Sequence, residues 1–144
     1  MLYELGLEAA VEWLAEQFQA QHGLRIEVDD DGQPKEVEDN VRALVYRAVR
    51  ELLLNAIKHA QAQNARVSLR REDDKLHVEV ADDGRGFDPT AGNAEDLSGF
   101  GLFSIHERMD FIGGSFQIDS APGQGTRGVV AVPLKHEEAS PGGE

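Results

Sequence analysis

The sequence predicts an α+β domain in which about three helices cover one face of a mixed, mostly antiparallel, five-stranded sheet. Two observations lead to this expectation. Apolar residues recur at helical spacing in some segments and alternate with polar residues in others, and the two kinds of segment follow one another in mixed order. The chain has 144 residues, which suits one compact domain with a single core. We expect that domain over residues 1–136, followed by a flexible tail over residues 137–144.

The helices are predicted where apolar residues recur every three or four positions. The first covers residues 7–21 and is followed by Gly23, a common helix stop. The second covers residues 37–60 and has the broadest apolar face in the chain. The third covers residues 103–112 and ends at the glycine pair that follows it.

Five shorter segments alternate between apolar and polar residues and are predicted strands: 24–28, 65–71, 75–81, 115–120 and 127–134. Residues 72–74 form the turn of a hairpin, and residues 29–34 and 121–125 are turn-rich connectors. Residues 82–101 lack periodicity. A loop of this length inside a compact domain is often a functional lid.

Composition excludes several classes of function. The net charge of −13 disfavours binding to nucleic acid or direct contact with an anionic membrane, because both require clustered Lys and Arg. Such a protein can bind ATP if magnesium and backbone N–H groups offset the phosphate charge. The absence of cysteine excludes disulfides and thiolate chemistry. No apolar run reaches the roughly 20 residues that span a bilayer, and no signal peptide is evident. We expect a cytoplasmic location, which includes the cytoplasmic end of a membrane-anchored receptor.

One edge of the second predicted helix carries polar residues. At 100° per residue, Glu51, Asn55 and Lys58 fall within an arc of about 60°, and His59 lies beside them. Asn55 can give Mg²⁺ an oxygen ligand without adding charge. Lys58 and His59 can contact phosphate oxygens. An ordinary solvent-exposed helix stripe explains the same pattern.

An acidic, glycine-containing segment follows the third predicted strand. Asp82 can accept a hydrogen bond from an exocyclic amine. Gly84 and Gly86 permit positive φ angles and let the backbone approach a ligand closely. A tight acidic turn is the alternative interpretation.

Two further glycine motifs occur later in the chain. Gly99 and Gly101 precede the third helix, where free N–H groups can contact a phosphate; a flexible hinge is the alternative. Residues 123–126 read Gly-Gln-Gly-Thr, which suits a hairpin turn. Thr126 could instead add a hydroxyl beside the Asp82 carboxylate.

In this order, the motifs resemble the GHKL ATP-binding superfamily of gyrase, heat-shock chaperones, mismatch-repair ATPases and histidine kinases. The similarity is greatest to sensor histidine kinases of the nitrate- and membrane-fluidity-sensing subfamily. It extends over about residues 5–134. The matching segments are the N box, the G1 box, the two parts of the G2 region and the last glycine box: residues 51–60, 82–87, 99–102, 105–109 and 123–126.

The resemblance implies the two-layer α/β sandwich known as the Bergerat fold, and it implies roles for matching residues. Asn55 would coordinate Mg²⁺, and Glu51 would polarise a water or assist proton movement. Asp82 would bond the adenine amine. The other cofactor-binding positions it implies contact the phosphates, shape the base pocket or hinge a lid over residues 88–99: Lys58, His59, Gly84, Gly86, Phe87, Gly99, Gly101, Leu102 and Thr126.

The resemblance also implies a function. The chain would bind Mg·ATP and transfer the γ-phosphoryl group to a histidine on a separate dimerisation domain, with a response regulator downstream. No room remains before residue 7 for that two-helix domain, and the five histidines lack the acidic helical motif of family acceptors. We therefore expect the isolated chain to be monomeric and unable to phosphorylate itself. The alternatives are a serine kinase that acts as an anti-sigma factor and a non-catalytic nucleotide-sensing module.

Overall fold

The structure, a computed structural model, describes residues 2–33, 35–58, 61–85 and 102–134. These ranges contain three helices and five strands: α1 (Leu2–His22), β1 (Arg25–Asp30), α2 (Asp39–Lys58), β2 (Asn64–Glu72), β3 (Lys75–Asp82), α3 (Leu102–Phe111), β4 (Ser115–Ser120) and β5 (Thr126–Pro133).

The strands form one sheet in the order β1-β2-β3-β5-β4. β1 runs parallel to β2, and the other three pairs are antiparallel. The predicted α+β class and mixed, mostly antiparallel sheet are therefore confirmed.

The core lies between the sheet and the helices. Alternate residues of β2, β3 and β5 are buried because successive side chains of a strand point to opposite faces. The facing side of α2 is buried along its whole length. The fully buried large side chains of these four elements are Val45, Val49, Leu53, Val67, Leu69, Leu76, Val78, Val130 and Val132.

The opposite face of the sheet, called the open face below, carries charged side chains in cross-strand pairs. Arg127 on β5 lies 2.8 Å from Glu79 on β3 and 3.1 Å from Asp119 on β4. Arg66 on β2 lies 3.0 Å from Glu27 on β1. Such exposed pairs contribute little to stability, about 0–1 kcal/mol each, so the helix-covered face supplies most of the stabilisation.

The first helix is interrupted at Gly6, one residue before the start that the periodicity predicts. Gly6 has φ 88° and ψ 175°, which is not helical, so the regular helix begins at Leu7 as the periodicity predicts. It ends at Gly23, which has φ 75° and whose N–H donates to the carbonyl of Gln19 at 3.0 Å. Within the described ranges, no helix is both long and apolar enough to cross a membrane.

Several predicted boundaries are wrong by one or two residues. β1 continues to Asp30 instead of ending at residue 28, because its parallel pairing with β2 extends to Asp30 opposite Leu69. α2 starts at Asp39, two residues later than predicted. Asp82 is the last residue of β3 and does not belong to the following loop. For the two strands, backbone pairing, which hydropathy does not report, sets the end of the element.

Truncation of Leu53 tests the packing of α2 on the sheet. Leu53 is fully buried, so Leu53→Ala should lower the free energy of unfolding by about 2–5 kcal/mol, through lost burial and the cavity left behind. Chemical denaturation measures the change. Arg47→Ala, at an exposed position of the same helix, is the control and should change stability by less than about 0.5 kcal/mol. Equal effects of the two substitutions would contradict this packing.

Candidate functional site

Three polar side chains meet at the edge where β3 ends and β5 begins. Asp82 is paired with Thr126, and Thr126 is paired in turn with Ser120 at the end of β4. Residues directly opposite one another share a face of the sheet. Asp82 also shares its face with the buried Val80, two residues earlier, so the row points toward the helix layer.

These residues line an open cleft of about 490 Å³. Its walls come from the end of β3, the end of β4 and the turn that leads into β5. The lining includes two hydroxyls and the Asp82 carboxylate on partly buried residues. It also includes Ala81, Asp119 and Arg127 of the open face, so the cleft lies at the rim of the sheet, where both faces end.

Asp82 is half-buried, and its environment differs from that of an exposed carboxylate. Burial raises its pKa, the neighbouring charge of Asp83 adds to this, and hydrogen bonds from the backbone of Gly84 and Thr126 oppose it. The Gly84 N–H donates to Asp82 Oδ1 at 2.8 Å. The carboxylate is therefore held in place and partly desolvated, which strengthens a hydrogen bond to a ligand donor.

Asp83, the next residue, has a structural role instead. Its Oδ1 accepts hydrogen bonds from the backbone N–H groups of Gln63 and Asn64, both at 2.9 Å, and its Oδ2 accepts from Asn64 Nδ2 at 2.7 Å. These bonds, above all those from Asn64, lower its pKa. Asp83 thus fixes the start of β2 against the end of β3, and of these two adjacent carboxylates Asp82 is the one that lines the cleft.

The turn before β5 packs directly on the end of β3. Gly125 has φ +79°, and a Cβ added to it would lie 2.2 Å from the carbonyl oxygen of Asp82. The N–H of Gly123 donates to the carbonyl of Arg85 at 2.6 Å. Only glycine fits at position 125 without moving backbone, so the second glycine of the predicted motif is required by packing.

The helix that carries Glu51 and Asn55 passes over the same end of the sheet. Leu52 of α2 covers Gly128 of β5, where an added Cβ would lie 3.1 Å from both Leu52 δ-carbons. Glu51 and Asn55 are half-buried, and the exposed Lys58 ends the helix. Glu51, Asn55 and Lys58 therefore lie on one helix, as predicted, and Leu52 of that helix lies against Gly128, two residues after Thr126.

The remaining predicted positions are described in part or not at all. Leu102 begins α3. The other five and the predicted lid, residues 88–99, lie outside the described residues: His59, Gly86, Phe87, Gly99 and Gly101.

One residue of the site was not predicted. Ser120 lines the cleft and hydrogen-bonds to Thr126 and to the carbonyl of Gly125. The position of Ser120 at a predicted strand end, one short turn before Thr126, was the signal that could have identified it.

Comparison with known proteins gives the family. Residues 40–136 match the family described as histidine kinase-, DNA gyrase B- and HSP90-like ATPases. The chain is 33% identical over 133 residues to the oxygen sensor histidine kinase NreB of Staphylococcus carnosus, covering 92% of this chain and 38% of that protein. It is 36% identical over 140 residues to an uncharacterised sensor-like histidine kinase of Chloroflexus aurantiacus, covering 94% of this chain and 24% of that protein.

Solved structures show the same fold. The blue-light activated histidine kinase EL346 of Erythrobacter litoralis superposes with a TM-score of 0.74 at 20% identity, over 92% of this chain and 43% of that one. The chain thus spans less than half the length of each of these relatives. The fold, the matched family and the named relatives agree with the resemblance inferred from the motifs. The chain belongs to the family of histidine kinase-, DNA gyrase B- and HSP90-like ATPases, and within it is similar to the ATP-binding catalytic domains of sensor histidine kinases.

Proposed function

We propose that this chain binds Mg·ATP in the cleft at the end of β3 and supplies its γ-phosphoryl group to a histidine on a separate dimerisation domain. The observation that carries the proposal is the half-buried Asp82 carboxylate, held by Gly84 and paired with Thr126, in a member of an ATPase family. The named sensor histidine kinases among its relatives support the choice of acceptor.

The cleft fits the adenine base. Asp82 accepts a hydrogen bond from the exocyclic amine, and the Thr126 hydroxyl lies beside it on the same face. Gly84, whose N–H holds Asp82, and Gly86 shape the pocket together with Phe87. The close packing of Gly125 keeps this wall rigid, so little ordering is needed when the base enters.

The edge of α2 fits the phosphates and their metal. Asn55 supplies Mg²⁺ with an oxygen, Glu51 polarises a nearby water or assists proton movement, and Lys58 and His59 contact phosphate oxygens. Among the described residues, no group of three or more His, Asp and Glu side chains could hold a metal ion. A single amide oxygen from Asn55 suits Mg²⁺, because this ion keeps several waters and is bound largely through phosphates. Bound magnesium would offset phosphate charge in a protein whose net charge is −13.

Catalysis in this proposal comes mainly from positioning and charge neutralisation. Gly99 and Gly101 hinge a lid, residues 88–99, over the triphosphate, and Leu102 starts the helix behind it. Residues 1–136 form the ATP-binding domain in this proposal, and the predicted tail, residues 137–144, lies outside the described residues. The partners are the histidine-bearing domain and a response regulator, the location is cytoplasmic, and the chain by itself is a monomer.

Replacement of Asp82 tests the base pocket. Asp82→Asn removes a charged acceptor and should weaken Mg·ATP binding by about 10–100-fold, the value of one hydrogen bond to a charged group. Calorimetric titration with a non-hydrolysable ATP analogue, with and without Mg²⁺, measures this. Asp83→Asn is the matched control. Its carboxylate holds β2, so this variant should lose stability while its affinity changes no more than about threefold. Undiminished binding by Asp82→Asn would overturn the assignment.

The same pair of variants should differ in pH dependence. The folded-state pKa of Asp82 is raised above 3.8, so its ionised form destabilises the fold near neutral pH, and that penalty fades as pH falls toward 3.8. Asp82→Asn should therefore be more stable than wild type at pH 7, with the difference shrinking on acidification. Asp83, whose pKa is lowered, contributes stability above pH 3.8 that is lost as pH falls through its folded-state pKa. Melting temperatures between pH 3 and pH 7 would show the opposite trends.

Replacement of Asn55 tests phosphoryl transfer. With a histidine-bearing domain of a sensor histidine kinase supplied in trans, wild type should label it from γ-labelled ATP, and Asn55→Ala should reduce the rate by at least about 100-fold. Gln117→Ala, an amide-to-alanine change at an exposed position of β4, should leave the rate unchanged. Labelling of a serine in place of a histidine would favour the anti-sigma-factor alternative. ATP binding with no transfer to either acceptor would favour a nucleotide-sensing module.

A further inference from the structure

Gly128 interrupts the row of β5 side chains that faces the helices. Thr126 begins that row, and Val130 and Val132 continue it as buried residues. The φ of Gly128 lies outside the left-handed region, so its backbone conformation does not require glycine. A glycine inside a strand weakens the strand, and it often marks a close approach of another group to the backbone. Glycine therefore provides space at this position, and not conformational freedom.

Two buried side chains occupy that space. A Cβ at position 128 would lie 3.1 Å from both δ-carbons of Leu52 on α2 and 3.3 Å from Phe116 Cε1 on β4. Leu52 is 5% exposed and Phe116 is 6% exposed. The Phe116 ring also contacts the His106 ring of α3 in a T-shaped arrangement, with the centroids 6.1 Å apart. Because both side chains are closely packed, an added carbon would displace at least one of them by a few tenths of an ångström.

The contact between Leu52 and Gly128 places α2 relative to the candidate site. Leu52 follows Glu51 directly on α2, and Asn55 comes about one turn later. Gly128 follows Thr126 by two residues on the same face of β5. The separation of Leu52 from β5 therefore influences how far Asn55 lies from the end of the strand. Such distances matter for group transfer, since a misplacement of about 1 Å can lower a rate by about 100-fold.

We propose that Gly128 is a positioning residue for phosphoryl transfer: its missing side chain lets Leu52 bring α2 close to β5, and this holds Asn55 at the distance that a nucleotide bound beside Asp82 requires. The inference rests on the proposed function, because it takes Asn55 as the metal ligand and Asp82 as the carboxylate that binds the base. Gly128 acts through Leu52 and α2, so it should affect the rate of transfer more than the binding of the base.

Gly128→Ala tests the inference, because the added methyl group must push Leu52 or Phe116 aside. The assay is the labelling of a histidine-bearing domain, supplied in trans, at several concentrations of Mg·ATP. The kcat should fall by about four- to tenfold, in proportion to a shift of a few tenths of an ångström. The KM for Mg·ATP should rise by less than about threefold, since the contacts of the base with Asp82 persist.

A compensating substitution separates this role from general destabilisation. Leu52→Val removes one carbon where Gly128→Ala adds one, so the double variant should recover kcat to within about twofold of wild type. Leu76→Val is the control. Leu76 is fully buried at the opposite end of β3 from Asp82, so this variant should lose stability while its kcat stays unchanged.

Three results would overturn the inference while the proposed function stands. They are an unchanged kcat in Gly128→Ala, a loss that Leu52→Val does not restore, and an equal loss in Leu76→Val. Wild type that binds no Mg·ATP and labels no histidine would instead overturn the proposed function, so the two failures are distinguishable.

Discussion

Gly125 approaches the carbonyl oxygen of Asp82 so closely that no side chain fits between the turn and the end of β3. An added Cβ would lie 2.2 Å from that oxygen, and the φ of +79° also disfavours any other residue. This contact fixes where β5 leaves its turn. Thr126 is consequently opposite Asp82, and Ser120 is opposite Thr126. The polar groups of the cleft thus owe their relative positions to backbone packing.

The two adjacent carboxylates show how strand geometry divides stability from function. Asp82, the last residue of β3, shares its face with the buried Val80 and is partly desolvated, so its ionised form costs stability. Asp83 lies beyond the strand and accepts three hydrogen bonds that fix the start of β2. A destabilising carboxylate beside a stabilising one is the arrangement expected where a binding site is maintained at some cost to the fold.

Periodicity was sufficient to predict the elements and the face of α2 that carries Asn55, because helical and strand patterns follow directly from backbone geometry. It could not predict strand ends such as Asp30, which depend on pairing with β2. The G1 box indicates Asp82, and not Asp83, as the carboxylate that binds the adenine amine. The contacts that distinguish the two carboxylates involve Asn64, 19 residues before Asp83 in the chain. The roles of Ser120 and Gly125 require the β4–β5 register, which the sequence does not specify.

The central claim is that nucleotide binds at the helix-covered edge formed by β3, β5 and α2. Backbone and side-chain NMR of the full chain during titration with a Mg²⁺-loaded, non-hydrolysable ATP analogue tests it most directly. The account predicts the largest shift changes at residues 82–85 and 120–127, and a change in the Asn55 side-chain amide that requires Mg²⁺. Gln117, on the open face, should be unaffected. Shift changes confined to the open face would contradict the account.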